Sequence, residues 1–184
     1  MLSILEEPQV RENAAPLSIA AYRLLGEKGL IGTRTELIEG VVIEKMSKSP
    51  KHARLVQMLV DWLNGIIGQS YFVQSEQPLT INNSEPEPDL ALIKGEPQNF
   101  LNEHPSTAEL VIEISFTTLG LDRAKSNIYA AANIPRYLLI NLEAKNVEEY
   151  LEPVDGKYTV LNMLNGTKLK LWQDQSFDLE LFFK

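Results

Sequence analysis

Three residues in this chain could do chemistry together: Asp89, Glu113 and Lys125. Asp89 follows Pro88 at the head of the apolar run Leu90-Ala91-Leu92-Ile93. Glu113 interrupts Leu110-Val111-Ile112-Glu113-Ile114, where the pattern calls for an apolar residue. A carboxylate placed there, desolvated and unpaired, costs several kcal/mol, so a cation must meet it. Two candidates are a metal ion and Lys125, which falls on the apolar stripe of the following helix. The alternative is an edge-facing glutamate and a snorkelling lysine, both solvated.

Adjacent strands lie close enough for two such carboxylates to share one divalent cation. Magnesium prefers oxygen ligands and retains several waters, so two or three acids suffice. Such an ion can polarise a phosphoryl oxygen and lower the pKa of an attacking water. A nearby ammonium can orient that water or neutralise charge gathering on the phosphate. Phosphodiester hydrolysis needs this combination.

These residues require particular elements to hold them. Glu109 to Ser115 reads as a strand buried on both faces. Leu121, Lys125, Ile128 and Ala132 recur at helical spacing, and Asn133 and Pro135 stop that helix. Tyr137 to Ile140 reads as a second buried strand, completing a βαβ unit with parallel strands. Pro88 starts the strand that carries Asp89, where proline's missing N–H is harmless. Upstream, Ser18 can cap a helix to about Lys28, with Ile19, Tyr22, Leu25 and Leu24 inward. Thr35 to Met46 reads as two strands about a Glu39-Gly40 turn. Pro50 begins a long helix with Leu55, Met58, Leu59, Trp62, Leu63 and Ile66 on one side. Tyr71 to Ser75 and Leu79 to Ile81 read as short strands. Val147 to Leu151, Tyr158 to Leu161, Lys168 to Trp172 and Leu179 to Phe183 read as a terminal meander, with Asp155-Gly156 and Asn165-Gly166 as hairpin turns.

With 184 residues, the expectation is an N-terminal arm over 1–16 and one domain over 17–184. The absence of cysteine excludes disulfides and thiolate zinc sites and suits a reducing cytoplasm. No apolar run approaches a membrane span, and the acidic N-terminus lacks the order of a signal peptide. A net charge of −8 argues against gripping nucleic acid by phosphate contacts alone. It leaves room for an acidic site whose ion reverses the local field.

Six motifs stand in order along the chain: Glu36-Leu37-Ile38-Glu39-Gly40, Ser49-Pro50-Lys51-His52, Pro88-Asp89-Leu90-Ala91, Glu109 to Ser115, Asp122-Arg123-Ala124-Lys125, and Tyr129 to Tyr137. Taken together they resemble the PD-(D/E)XK nuclease superfamily and, within it, the Uma-type restriction-endonuclease family. The resemblance implies an α/β (α+β) fold: a restriction-endonuclease-like core, a mixed β-sheet flanked by helices, with the C-terminal β-meander added. It implies metal-binding carboxylates at Asp89 and Glu113, a catalytic lysine at Lys125 moved onto the helix, and Glu36 as an accessory acid at the same metal. Magnesium or manganese is the implied cofactor and DNA the implied substrate. Ser115-Phe116-Thr117-Thr118 departs from the Ser-Pro-Ser of many members.

Other polar residues have plainer readings. Glu36 can instead belong to an exposed hairpin face. His52 is expected as an exposed first-turn histidine, with phosphate contact or proton shuttling as the alternative. Asp122 fits a helix start, stabilised by the dipole, or a support for Lys125. Glu76 and Glu87 lie on connections near Asp89 without an assigned role. A homodimer is expected, with Gly65-Ile66-Ile67 and Leu181-Phe182-Phe183 as apolar contact surfaces. The functional expectation is a magnesium-dependent endonuclease; the alternative is a catalytically silent binding or assembly module on the same fold. A phosphatase has no Gly-rich phosphate cradle to support it.

Overall fold

The computed structural model describes residues 7–184. Residues 1–6 of the expected arm lie outside the described residues. The rest of that arm is not featureless: Pro8–Asn13 forms a short helix, α1. Helix α2 follows at Ile19–Glu27, where the Ser18 side chain accepts from the Ala21 N–H. Its Ile19, Tyr22 and Leu25 are half-buried, whereas Leu24 is exposed, which corrects the expected inward set.

Strands β1 (Thr35–Ile38) and β2 (Val41–Glu44) pair as an antiparallel hairpin separate from the main sheet. Both turn residues, Glu39 and Gly40, have positive φ, at 49° and 80°. That is the primed turn a two-residue hairpin needs, here with glutamate where asparagine is commoner. Gly40 is obligatory for a second reason. A Cβ there would stand 2.4 Å from the Pro16 Cβ and 2.7 Å from the Asn83 Nδ2.

Helix α3 spans Pro50–Asn64, with the Ser49 hydroxyl accepting from the His52 N–H and Pro50 in the first turn. Strands β3 (Tyr71–Ser75), β4 (Leu90–Lys94), β5 (Leu110–Ser115), β6 (Arg136–Asn141), β7 (Asn146–Val154) and β8 (Lys157–Leu164) form one sheet in that order. Only β5 and β6 run parallel, joined by helix α4 (Leu119–Ala131) as the βαβ pattern predicts. The sheet is therefore mixed. Strands β9 (Lys168–Trp172) and β10 (Gln175–Asp178) pair as a separate ribbon.

Alternation along β5 and β6 sorts the core into two layers. Leu110, Ile112, Ile114, Leu138 and Ile140 pack with Leu55, Leu59 and Leu63 of α3 and with Leu171, Phe177 and Phe182 near the C-terminus. Val111, Tyr137 and Leu139 face the other way, toward Ile128 and Tyr129 of α4. Glu113 shares the parity of Val111 and so faces α4.

Four expectations are corrected. Leu79 to Ile81 forms no strand, only an isolated bridge between Ile81 and Ser84. The strand after Asp89 starts at Leu90, because the chain is still irregular through Pro88 and Asp89. Asn165-Gly166 does not close a hairpin, since β8 and β9 belong to different sheets. Leu179 to Phe183 is not a strand: Leu179, Phe182 and Phe183 are buried core residues, so burial rather than pairing explains their apolar character. That removes Phe182 and Phe183 from any contact surface and leaves Leu181 exposed, while Ile66 and Ile67 pack partly against the core. Among the described residues, no helix is long and apolar enough to cross a membrane.

Candidate active site

The structure brings all four sequence-predicted residues to one cleft of about 630 Å³, lined by Glu36, Asp89, Glu113 and Lys125 among others. Four segments deliver them. Glu36 comes from β1, Asp89 from the residue before β4, Glu113 from the middle of β5, and Lys125 from α4. Because β5 pairs with β4 and α4 crosses over the same face, the three later residues converge without any distortion of the sheet.

Asp89 and Glu113 are cross-bonded through backbone. The Asp89 N–H donates to Glu113 Oε2 at 3.2 Å, and the Ile114 N–H donates to Asp89 Oδ2 at 2.7 Å. Lys125 Nζ lies 3.1 Å from Glu113 Oε1 and 3.0 Å from Glu36 Oε1. The Tyr129 hydroxyl, one turn along α4, donates to the same Glu113 Oε1 at 2.8 Å. Glu36 Oε2 accepts from the Glu87 N–H at 3.2 Å.

Glu36 is buried, so the exposed-face reading of that residue is overturned: β1 is covered on both faces, burying Thr35 and Leu37 on one and Glu36 on the other. His52 is buried too, against expectation. Its Nε2 stands 2.9 Å from Asp89 Oδ2, and its Nδ1 is buried without a partner. His52 points at the cleft, while its first-turn neighbours Pro50, Lys51 and Ala53 are exposed. Lys48, which carried no signal, reaches Asp89 Oδ1 at 2.7 Å and also meets Glu76. Glu87 pairs with Lys45 on the rim. Asp122 is buried beside the cleft and accepts from the Thr118 hydroxyl at 2.6 Å. Tyr129 could have been found, since it lies four residues after Lys125 on one helical face. His52 and Lys48 could not, because their partner is a loop residue 37 and 41 positions away.

The electrostatics follow from burial. Burial pushes the Glu113 carboxyl up to about 8; Lys125 opposes this, while Asp89, Asp122 and Glu36 add to it. Asp122 is also raised by burial, with Thr118 and Lys125 opposing. For Asp89 burial acts upward, but His52 and Lys48 outweigh it and hold the carboxyl below its ordinary value. For Lys125 burial acts downward, but Glu113, Glu36 and Asp122 outweigh it, so the ammonium is held charged more firmly than usual.

Among the described residues, no three Asp, Glu or His side chains stand gathered around a single ion position. Lys125 stands between Glu36 and Glu113 instead. In chemistry the donor set fits a hard divalent cation: Asp89, Glu113 and Glu36 offer only carboxylate oxygens. Seven carboxylates line the cleft against four lysine and arginine side chains. A carboxyl as raised as Glu113 is one that an arriving cation would ionise.

The comparisons with known proteins agree with this architecture. No curated protein matches the chain. A crystal structure of a "putative nuclease belonging to DUF820" from Anabaena variabilis superposes with a TM-score of 0.68, over 91% of this chain and 98% of that one, at 16% identity. At that identity the likeness speaks for the fold. A family model, Uma2, described as "Putative restriction endonuclease", matches residues 30–180. That match runs from just before the hairpin bearing Glu36 to beyond the last strand, and the chain therefore belongs to the Uma2 family.

Proposed function

We propose that this protein is a magnesium- or manganese-dependent endonuclease that hydrolyses DNA phosphodiester bonds. One observation carries the reading: two cross-bonded buried carboxylates and a buried lysine, from three separate segments, meet in one cleft with a third acid. Ion pairs serving stability alone gain little from such burial, because desolvation offsets their attraction. Perturbed carboxyls gathered in a cleft point instead to a functional site.

Asp89 and Glu113 would hold the ion, with Glu36 as the accessory ligand. When bound, the ion would supply Lewis-acid polarisation of a phosphoryl oxygen and ease deprotonation of an attacking water. Lys125 neutralises negative charge accumulating on the phosphate as the new O–P bond forms and the 3′-oxygen leaves. Tyr129 and Glu36 fix the lysine and Glu113 so that little reorganisation is needed at that moment. His52 and Lys48 hold the Asp89 carboxylate in place.

Incubation of supercoiled plasmid and of circular single-stranded DNA with the protein and Mg²⁺ or Mn²⁺ is the direct test. Cleavage by the wild type, lost in Asp89→Asn with the circular dichroism spectrum unchanged, supports the reading. A wild type that cuts no DNA with either ion sinks it. The silent-module alternative rests on one specific feature: every site carboxylate already has an internal N–H, hydroxyl or cationic partner. Under that alternative, calorimetric titration with either ion shows no heat attributable to Asp89 or Glu113.

A further inference from the structure

The loop between β5 and α4 exposes an aromatic ring at the edge of the acid cleft. Phe116 is 54% exposed and lines the cleft three residues after Glu113. Met46, 63% exposed, lines it from the segment after β2. Neither joins the core clusters, and both lie on the same cleft as the site acids rather than scattered over the surface. The same cleft holds the side chains that would meet a phosphate. Of the rim cations, Lys45 is paired with Glu87, and Lys48 with Glu76 and Asp89. Arg34 has no carboxylate partner among the described residues, donating only to the Ser47 hydroxyl and the Lys45 carbonyl.

Charge limits how such a cleft can hold nucleic acid. Duplex binding is dominated by many lysine and arginine contacts to phosphate. This chain carries a net charge of −8, and most of its rim cations are already neutralised. Single strands carry backbone charge too, but gain a second contribution from bases stacked on aromatic faces. Bases in a duplex are already stacked on one another and cannot lie against Phe116 without being turned out.

Resting on the nuclease reading, we propose that the cleft takes single-stranded DNA, with one base stacked on Phe116 against Met46 and the adjoining phosphate met by Arg34. Phe116 is then a residue that sets strandedness, and it takes no part in the chemistry.

The test uses fluorescence anisotropy in EDTA, where no cleavage occurs, with a labelled oligothymidine of about 15 nucleotides and a duplex of the same length. The wild type binds the single strand at least about tenfold more tightly than the duplex. Phe116→Ala and Phe116→Leu each lose roughly fivefold to a hundredfold for the single strand and leave duplex binding unchanged. Phe116→Trp keeps the affinity, and its added emission is quenched by the single strand. Equal or tighter binding of duplex, or single-strand binding untouched by Phe116→Ala, overturns this inference while metal-dependent plasmid cleavage keeps the nuclease reading standing. Absence of binding to either oligonucleotide, together with absence of cleavage, overturns both.

Discussion

The backbone N–H of Asp89 donates to the carboxylate of Glu113, and the N–H following Glu113 donates back to Asp89. Each acid is thereby oriented by the main chain of the other. Replacing either with its amide keeps size and one of the two acceptor oxygens while removing the charge a cation needs. Asp89→Asn and Glu113→Gln should each abolish Mg²⁺ or Mn²⁺ binding in calorimetry without unfolding the chain. Persistence of full-affinity binding in both would remove these residues from the metal site.

His52 acts on the site through Asp89, sharing its Oδ2 with the Ile114 N–H, so its effect should be smaller. His52→Ala should weaken metal affinity about tenfold to a hundredfold, as loss of an orienting partner does. His52→Gln, which can still donate to Asp89, should recover part of that loss. Identical affinities in all three proteins would show that the imidazole orients nothing.

Lys125 is 4% exposed and sits between two carboxylates. Lys125→Ala leaves both buried without their cation above the pH near about 8 at which Glu113 ionises, and should cost about 3–5 kcal/mol, read from urea unfolding at about pH 9. Adding Glu36→Gln and Glu113→Gln to that variant should return much of the loss, because the stranded charges go with it. A single substitution costing under about 1 kcal/mol would mean that the acids are already neutral without the lysine.

Stability of the metal-free protein should fall as the pH rises. Glutamate in the unfolded chain ionises near 4.5, whereas folded Glu113 does so near about 8. Within that window the folded state retains a proton that the unfolded state has released, so the slope is negative, at most about 1.4 kcal/mol per pH unit for one group. Asp122, also raised, acts in the same sense. Asp89 is lowered, and its contribution is complete above the window's lower edge. Urea unfolding in EDTA from about pH 5 to pH 8 should show the decline, and Glu113→Gln should flatten it. A wild-type profile as flat as the variant's would contradict the assigned shift.

Gly40→Ala should destabilise by about 1–3 kcal/mol, because φ is positive there and the new methyl meets Pro16 and the Asn83 side chain. Thermal unfolding measures this. A variant as stable as wild type would show that the turn can relax away from both.

Much of the site was legible in sequence because its residues break a pattern or keep one. Glu113 violates an apolar strand, and Lys125 falls in step with an apolar helical stripe; local periodicity reveals both. The βαβ unit was legible for the same reason, since runs buried on two faces have few other readings. The depth of Glu36 was not, because a four-residue strand with mixed polarity reads equally well facing in or out. Nor was the burial of His52, which depends on how the start of α3 meets a loop far along the chain. At the C-terminus, Phe182 and Phe183 read as a strand because an apolar run does not distinguish pairing from simple packing.

The Glu36 hairpin has no ladder to the large sheet; apart from Lys125 and contacts with Leu17 and Tyr22, it is attached through the loop that leads to Asp89. Glu85 donates to Leu37, Gly40 to Asn83, Glu39 to the Ser84 hydroxyl and Glu87 to Glu36 itself. Such a seam can open while the six strands remain shut, and one opening would carry off an acid and loosen another. On warming, amide exchange at Glu39, Gly40 and Glu85 should therefore rise before the six-stranded sheet melts.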